Sequence, residues 1–161
     1  MAALEGEKVV PPEGIPAANE GSLRLFMKMG CPFCTKLAFF LAEAGLLSKV
    51  TMIYDHPVVR EYVKATNEGK CTFPSLEVEP GVVMRETDDI INKFATENGV
   101  DVDSLLGLKY FSTGMLKSFM HLFKDKVAST EGGYPAVTTW IADTVGVRPP
   151  EVAEGMALKI E

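Results

Sequence analysis

From Ser22 onward the chain alternates, with Leu23, Leu25 and Met27 set against Arg24, Phe26 and Lys28, and this period of two predicts a strand ending at Gly30. It is expected to be a buried central strand. In TKLAFFLAEAGLL, Leu37, Leu41 and Ala44 recur at helical spacing and Gly45 can close the helix. KVTMIYD at 49–55 fits a second strand. PVVREYVKATNEG fits a second helix, with Pro57 in its first turn and Gly69 as its stop. SLEVE and VVMRE flank Pro80 and Gly81, two short alternating runs around a turn dipeptide, and predict a β-hairpin. Thr87 is the expected N-cap of a third helix that carries Asp88 and Asp89 in its first turn and runs through Ile90, Ile91 and Phe94 to Asn98. Residues 22–99 therefore read βαβαββα, an α/β unit with a four-stranded mixed sheet and helices on both faces.

Two flanking segments differ in texture. Residues 1–21 hold three prolines, three glycines and no aromatic residue, and are expected to form a flexible arm. Residues 100–161 are expected to be a helical extension. Within it Leu116, Phe119, Met120, Phe123 and Val127 form a helical stripe that must be buried against something. The Phe/Met-rich helix from Lys109 to Val127 is expected to cover the sheet or a core edge, with a protein-binding face as the sharper alternative. Gly132, Gly133 and Pro135 break it. A shorter helix around 136–145 carries Trp140, read with Tyr134 as a packing anchor, and the tail from Arg148 shows little periodicity.

The length of 161 residues suits one domain, and 47% apolar with 24% charged residues is enough to bury a core. The longest apolar runs stop well short of the roughly 18 residues of a membrane span. A net charge of -6, without clustered Lys and Arg, argues against nucleic acid and anionic membranes as partners. The first residues lack the features of a secretory signal or transit peptide, so the expected location is cytoplasmic, or an organelle matrix or stroma if a targeting peptide was removed. Three cysteines are too few for a disulfide scaffold and leave at least one unpaired.

Cys31-Pro32-Phe33-Cys34 falls where a strand gives way to a helix. Cys31 then lies at a helix N-terminus, where free N–H groups favour a thiolate, and Cys34 lies one turn inside. Three residues of separation let the sulfurs meet, which makes Cys31 the candidate nucleophile and Cys34 the buried resolving thiol. Pro32 suits the first turn because its missing N–H would have had no partner. A zinc site would need a second pair of ligands, and His56, His121 and Cys71 offer no zinc spacing. A redox-inert pair is the other alternative.

The segment Lys28-Met29-Gly30-Cys31-Pro32-Phe33-Cys34 resembles the K-x-x-C-P-[YF]-C motif of dithiol glutaredoxins, in the thioredoxin-like superfamily. Thr72-Phe73-Pro74 resembles that family's T-[VF]-P signature, whose proline is cis and faces the active-site Cys. Glu86-Thr87-Asp88-Asp89 resembles its helix start that binds the γ-glutamyl end of glutathione. The resemblance spans Leu23 to about Asn98. It implies a thioredoxin-like fold and a redox-active Cys31–Cys34 pair. Its implied glutathione contacts are Lys28, Phe33, Phe73, Pro74, Thr87 and Asp88. Lys28 places a cation three residues before the nucleophile, able to lower its pKa and attract a carboxylate.

The sequence departs from the family at Gly69-Lys70-Cys71, where glutaredoxins commonly carry G-Q-R, and Lys70 is expected to replace one of the lost contacts. Leu76-Glu77-Val78 to Glu86-Thr87 is also similar to glutathione S-transferase N-terminal domains, and CPFC before a Leu/Phe-rich helix is similar to omega-class transferases and chloride intracellular channels. A full transferase needs a longer helical domain than the 62 residues after Gly99. The resemblance thus implies a glutathione-dependent thiol–disulfide oxidoreductase acting on disulfide or glutathionylated proteins. The alternatives are a non-catalytic thioredoxin-fold subunit of a larger assembly, a transferase-like glutathione-binding module, and a [2Fe-2S] carrier with Cys31 and glutathione as ligands. Cys71 is expected to be a half-buried bystander, and a third redox thiol is its sharper reading.

Overall fold

The structure, a computed structural model, describes residues 9–145 and 157–158. Its elements run β1 (Leu23–Met27), α1 (Pro32–Glu43), β2 (Val50–Tyr54), α2 (Pro57–Ala65), β3 (Ser75–Glu79), β4 (Val82–Met84), α3 (Thr87–Asn98), α4 (Leu106–Tyr110), α5 (Leu116–Ser129), α6 (Gly133–Val145) and β5 (Ala157–Leu158). The expected βαβαββα order is present. β1 is central, parallel to β2 and antiparallel to β3, with Leu25 opposite both Met52 and Leu76. β4 completes the four-stranded mixed sheet beyond β3, and the two-residue β5 adds an antiparallel edge beside β2.

Both faces of the sheet are covered, which explains why the consecutive residues Leu25, Phe26 and Met27 of β1 are all buried. Leu25 and Met27 face a core built with Leu37, Phe40 and Leu41 of α1 and Ile90 and Phe94 of α3. Phe26 points the other way, into a smaller cluster with Ile53, Val59, Tyr62 and Val63 under α2. Its ring meets Tyr62 edge-on at 5.8 Å.

One buried carboxylate ties the second layer to the hairpin. Glu77 accepts hydrogen bonds from the Tyr62 hydroxyl, Arg24 Nε and the Gly81 N–H at 3.0 Å. Three donors on one buried acceptor compensate its desolvation, and the same burial raises the Tyr62 pKa. Gly81 has φ +80, and a Cβ there would come within 2.6 Å of the Val9 carbonyl oxygen. Residues 9–21, expected as an arm, form no helix or strand but lay Ile15 into the α2 cluster and donate Asn19 N–H to Thr51 Oγ1 at 2.8 Å. Residues 1–8 of that arm lie outside the described residues. So does the tail from Arg148, apart from β5.

Two local expectations change. The N-cap of α3 is Glu86, not Thr87, and it makes no side-chain cap bond. The helix expected from Lys109 to Val127 is interrupted at Phe111–Met115 by one π turn, which joins α4 to α5 with helical backbone angles at Tyr110, Phe111, Met115 and Leu116. α3 ends on Gly99 with φ 64, the left-handed conformation that favours glycine.

The extension is fastened to α1. The Glu43 carboxylate accepts the Gly107 and Leu108 N–H groups at 2.9 and 2.8 Å, closing the N-terminus of α4. Leu105 and Leu108 enter the main core, and Phe39 stacks on Phe111 at 5.1 Å. These N–H groups hold the Glu43 pKa below its ordinary value. Because the folded pKa is lowered, the contribution of this clasp is fully present above the ordinary carboxylate range and is lost as pH falls through the lowered value. Glu43→Ala should therefore speed hydrogen exchange at the Gly107 and Leu108 amides at neutral pH, and wild-type exchange at both should approach that of the variant in acid, after correction for intrinsic rates. Equal exchange in the two proteins at neutral pH would show that the clasp does not hold the extension.

Candidate active site

β1 delivers the chain to the site. After Met27 the backbone turns through Gly30, at φ 71, and Cys31 follows as the N-cap of α1 with extended backbone angles. Pro32 occupies the first helical position, as expected. Cys31 Sγ accepts the Cys34 N–H at 3.4 Å, so a sulfur serves where a Ser or Asp oxygen usually caps a helix. When protonated, the same sulfur donates to the Phe73 carbonyl oxygen at 3.6 Å. The Phe73–Pro74 peptide bond is cis.

The two thiols differ in environment. The Cys31 pKa falls from 9.0 to about 6, chiefly through a hydrogen bond from the Cys34 thiol, with the Cys34 and Phe33 N–H groups and the Lys28 charge adding to it against the opposing effect of burial. Cys34 is buried, and burial together with the adjacent Cys31 pushes its pKa well up. Lys28 N–H donates to Cys34 Sγ at 3.4 Å and fixes it under the turn. One sulfur is thus a thiolate at the cavity and the other a buried neutral donor, a division of labour set by the hydrogen bond between them, by burial and by their places in the first helical turn.

A cavity of about 370 Å³ opens over Cys31. Lys28, Phe33 and Phe73, expected at the site, line it together with Cys31. The other expected contacts lie elsewhere. Pro74 is buried behind Phe73, and Lys70 is exposed on the loop that follows α2. Thr87 and Asp88 form the first turn of α3, where the Asp88 carboxylate pairs with Lys36 of α1 at 2.5 Å.

Several lining residues were not among the site residues expected from the sequence. Cys71 faces the same cavity as Cys31, although burial raises its pKa, first by desolvation and then through Asp55. The far wall belongs to the extension: Phe119, Met120 and Phe123 of α5 and Tyr134, Thr138 and Ile141 of α6. The expected stripe is therefore only half-buried beyond Leu116, because it faces a cavity and not the sheet. Trp140 is 54% exposed with Lys126 Nζ 5.3 Å from its ring centroid, so it is not the buried anchor expected. His121 is an exposed helix-face residue, 3.7 Å from Asp125. The signal for this wall was present as an apolar stripe, expected to cover the sheet or a core edge.

Among the described residues, no three His, Cys, Asp or Glu side chains lie together as a metal site, and no helix is long and apolar enough to cross a membrane. Residues 23–83 match the family model described as Glutaredoxin. No curated protein and no solved structure matches the chain. The matched segment runs from β1 into β4 and contains Cys31, Cys34 and the Phe73–Pro74 bond, while α3 and the helical wall lie beyond it. With a mixed four-stranded sheet and a close cysteine pair at the start of its first helix, this segment is a domain of the glutaredoxin family, within the thioredoxin-like superfamily.

Proposed function

We propose that the chain is a glutathione-dependent thiol–disulfide oxidoreductase. The observation that carries this reading is Cys31 capping α1 beside the buried Cys34, with Cys31 lining an open cavity. With a pKa of about 6, Cys31 is roughly nine-tenths ionised at pH 7. It attacks the glutathione sulfur of a glutathionylated thiol. A Cys31–glutathione disulfide forms, the original disulfide breaks, and the departing thiolate takes a proton from water. A second glutathione thiolate then attacks the glutathione sulfur of that mixed disulfide, releasing oxidised glutathione and restoring Cys31. With a protein disulfide as substrate, Cys34 displaces the protein thiol from Cys31 to leave a Cys31–Cys34 disulfide, which two glutathiones reduce. For that step Cys34 must lose its proton, and the Lys28 N–H at 3.4 Å is in place to stabilise the sulfur as charge develops.

Glutathione is assigned to Lys28, Phe33 and the Phe73–Pro74 backbone, with its γ-glutamyl end toward Thr87 and Asp88 and Lys70 serving its glycine carboxylate. Support for the first part is that Lys28, Phe33 and Phe73 share one cavity with Cys31. Support for the second is that the N-terminus of α3 has no side-chain cap, so its first N–H groups can receive a carboxylate. The Lys36–Asp88 pair would have to share Asp88 with the incoming ammonium group.

Cys31→Ser should reduce glutathione-dependent disulfide reduction to the uncatalysed rate, while Cys34→Ser should retain most deglutathionylation activity. Both rates can be followed by coupling oxidised glutathione to its reductase, and full activity in the Cys31 variant would contradict the reading. In a Cys71→Ser background, Cys31 alkylation by iodoacetamide should rise with pH through a midpoint near 6, because only the thiolate reacts. Cys34→Ala removes the donor that lowers the Cys31 pKa most. The midpoint should move upward yet stay below 9.0, since the backbone N–H groups and Lys28 remain.

A further inference from the structure

We infer that the helical wall makes this site selective for glutathione mixed disulfides of small apolar thiols, aryl or alkyl, over those of polar thiols; this rests on the oxidoreductase reading above and names its substrate class. The wall is a constructed surface. Phe119 and Phe123 stack at 5.7 Å, and Tyr134 meets Phe123 edge-on at 5.7 Å, so three rings from two helices form one side of the cavity. The helices that carry them are held from behind by Leu116 and Val137, both buried, and through α4 by the Glu43 clasp.

The cavity's chemistry is asymmetric. Among the described residues that line it there is no carboxylate, and Lys28 is the one permanently charged side chain. Lys28 and the Phe73 backbone line the Cys31 side, whereas the α5 and α6 side presents rings, Met120 and Ile141. A volume of about 370 Å³ suits a small molecule.

Displacement at sulfur is in-line. When the Cys31 thiolate attacks the glutathione sulfur of GS–S–R, the sulfur of R lies on the far side from Cys31, and R is directed across the cavity toward the rings. The Cys31–S bond to glutathione forms, the GS–SR bond breaks, and R–S⁻ leaves and is protonated by water. Glutathione then regenerates Cys31 as above, so the cycle needs no other reductant. An apolar R removes water from the rings on binding, whereas a hydroxylated R loses hydration and meets few polar partners there: among the described residues the wall offers the Thr138 and Tyr134 hydroxyls, and the Thr138 hydroxyl already donates to the Tyr134 and Pro135 carbonyls.

The test uses the full chain with excess glutathione and two substrates, the mixed disulfides of glutathione with benzyl mercaptan and with 2-mercaptoethanol. After division by the uncatalysed rates, kcat/KM should favour the benzyl substrate by about tenfold or more. Phe119→Ala/Phe123→Ala should cut that preference about fivefold, and Phe119→Leu/Phe123→Leu, which keeps apolar bulk and folding but loses the rings, should fall between. A purely structural role would lower both rates and leave their ratio alone. Equal kcat/KM for the two substrates, or a preference unchanged in both variants, would overturn the proposal. Inactivity toward both substrates would overturn the oxidoreductase reading instead. The wall is then judged by Cys31 alkylation with N-phenyl iodoacetamide against iodoacetamide, normalised to the same ratio for free glutathione. A ratio raised in the wild type and lowered in the variants is expected, and one equal to that of glutathione overturns the proposal.

Discussion

At the start of α1 a sulfur takes the place of the usual capping oxygen. The Cys34 N–H, which the first helical turn would otherwise leave without a partner, points at Cys31 Sγ from 3.4 Å. Two further groups meet at the same point. Pro32 contributes no N–H that would need satisfying, and the Cys34 thiol, kept neutral by burial, has a proton to donate to Cys31. Negative charge on Cys31 thus completes the helix terminus, so the interaction that begins the helix also activates the nucleophile. The rest of the domain holds that terminus still. β1 is paired on both edges, Leu37 and Leu41 bury α1 against it, and Phe73 stands beside the sulfur from the loop before β3.

The second organising feature is the way the C-terminal helices are used. α4 docks on α1 through Glu43 and the Phe39–Phe111 stack, then the π turn leads into α5. From there the chain leaves the main core. α5 and α6 pack on one another and present their apolar side to the space above Cys31. A domain that carries its thiolate close to the surface thereby gains a wall, and an open site becomes a cavity.

Most of the sheet was legible in the sequence because its signals are local. Alternation marked β1, Pro80-Gly81 marked the hairpin, and Pro57 and Gly45 marked helix ends. The placement of Cys31 at the start of a helix, three residues after Lys28 and three before Cys34, was also legible from the local order of strand, motif and helix. What could not be read depends on long-range geometry. The stripe Leu116, Phe119, Met120, Phe123 and Val127 announces an apolar face but not its partner, and Cys71 enters the cavity only because the loop before Phe73 folds back beside Lys28. A single glycine inside a helical pattern is tolerated, so Gly114 does not mark the π turn at Phe111–Met115 in the sequence. Thr87 looked like a better cap than Glu86 by residue type, yet the helix begins at Thr87 itself.

The account stands on Cys31 being a thiolate at neutral pH because α1 begins at its sulfur. Ultraviolet thiolate absorbance of the reduced protein, titrated from acid to alkaline pH, measures this without any substrate. A step of one thiolate with a midpoint near pH 6, absent in Cys31→Ser, is the predicted result. A midpoint for Cys31 near the ordinary value of 9.0 would contradict the account.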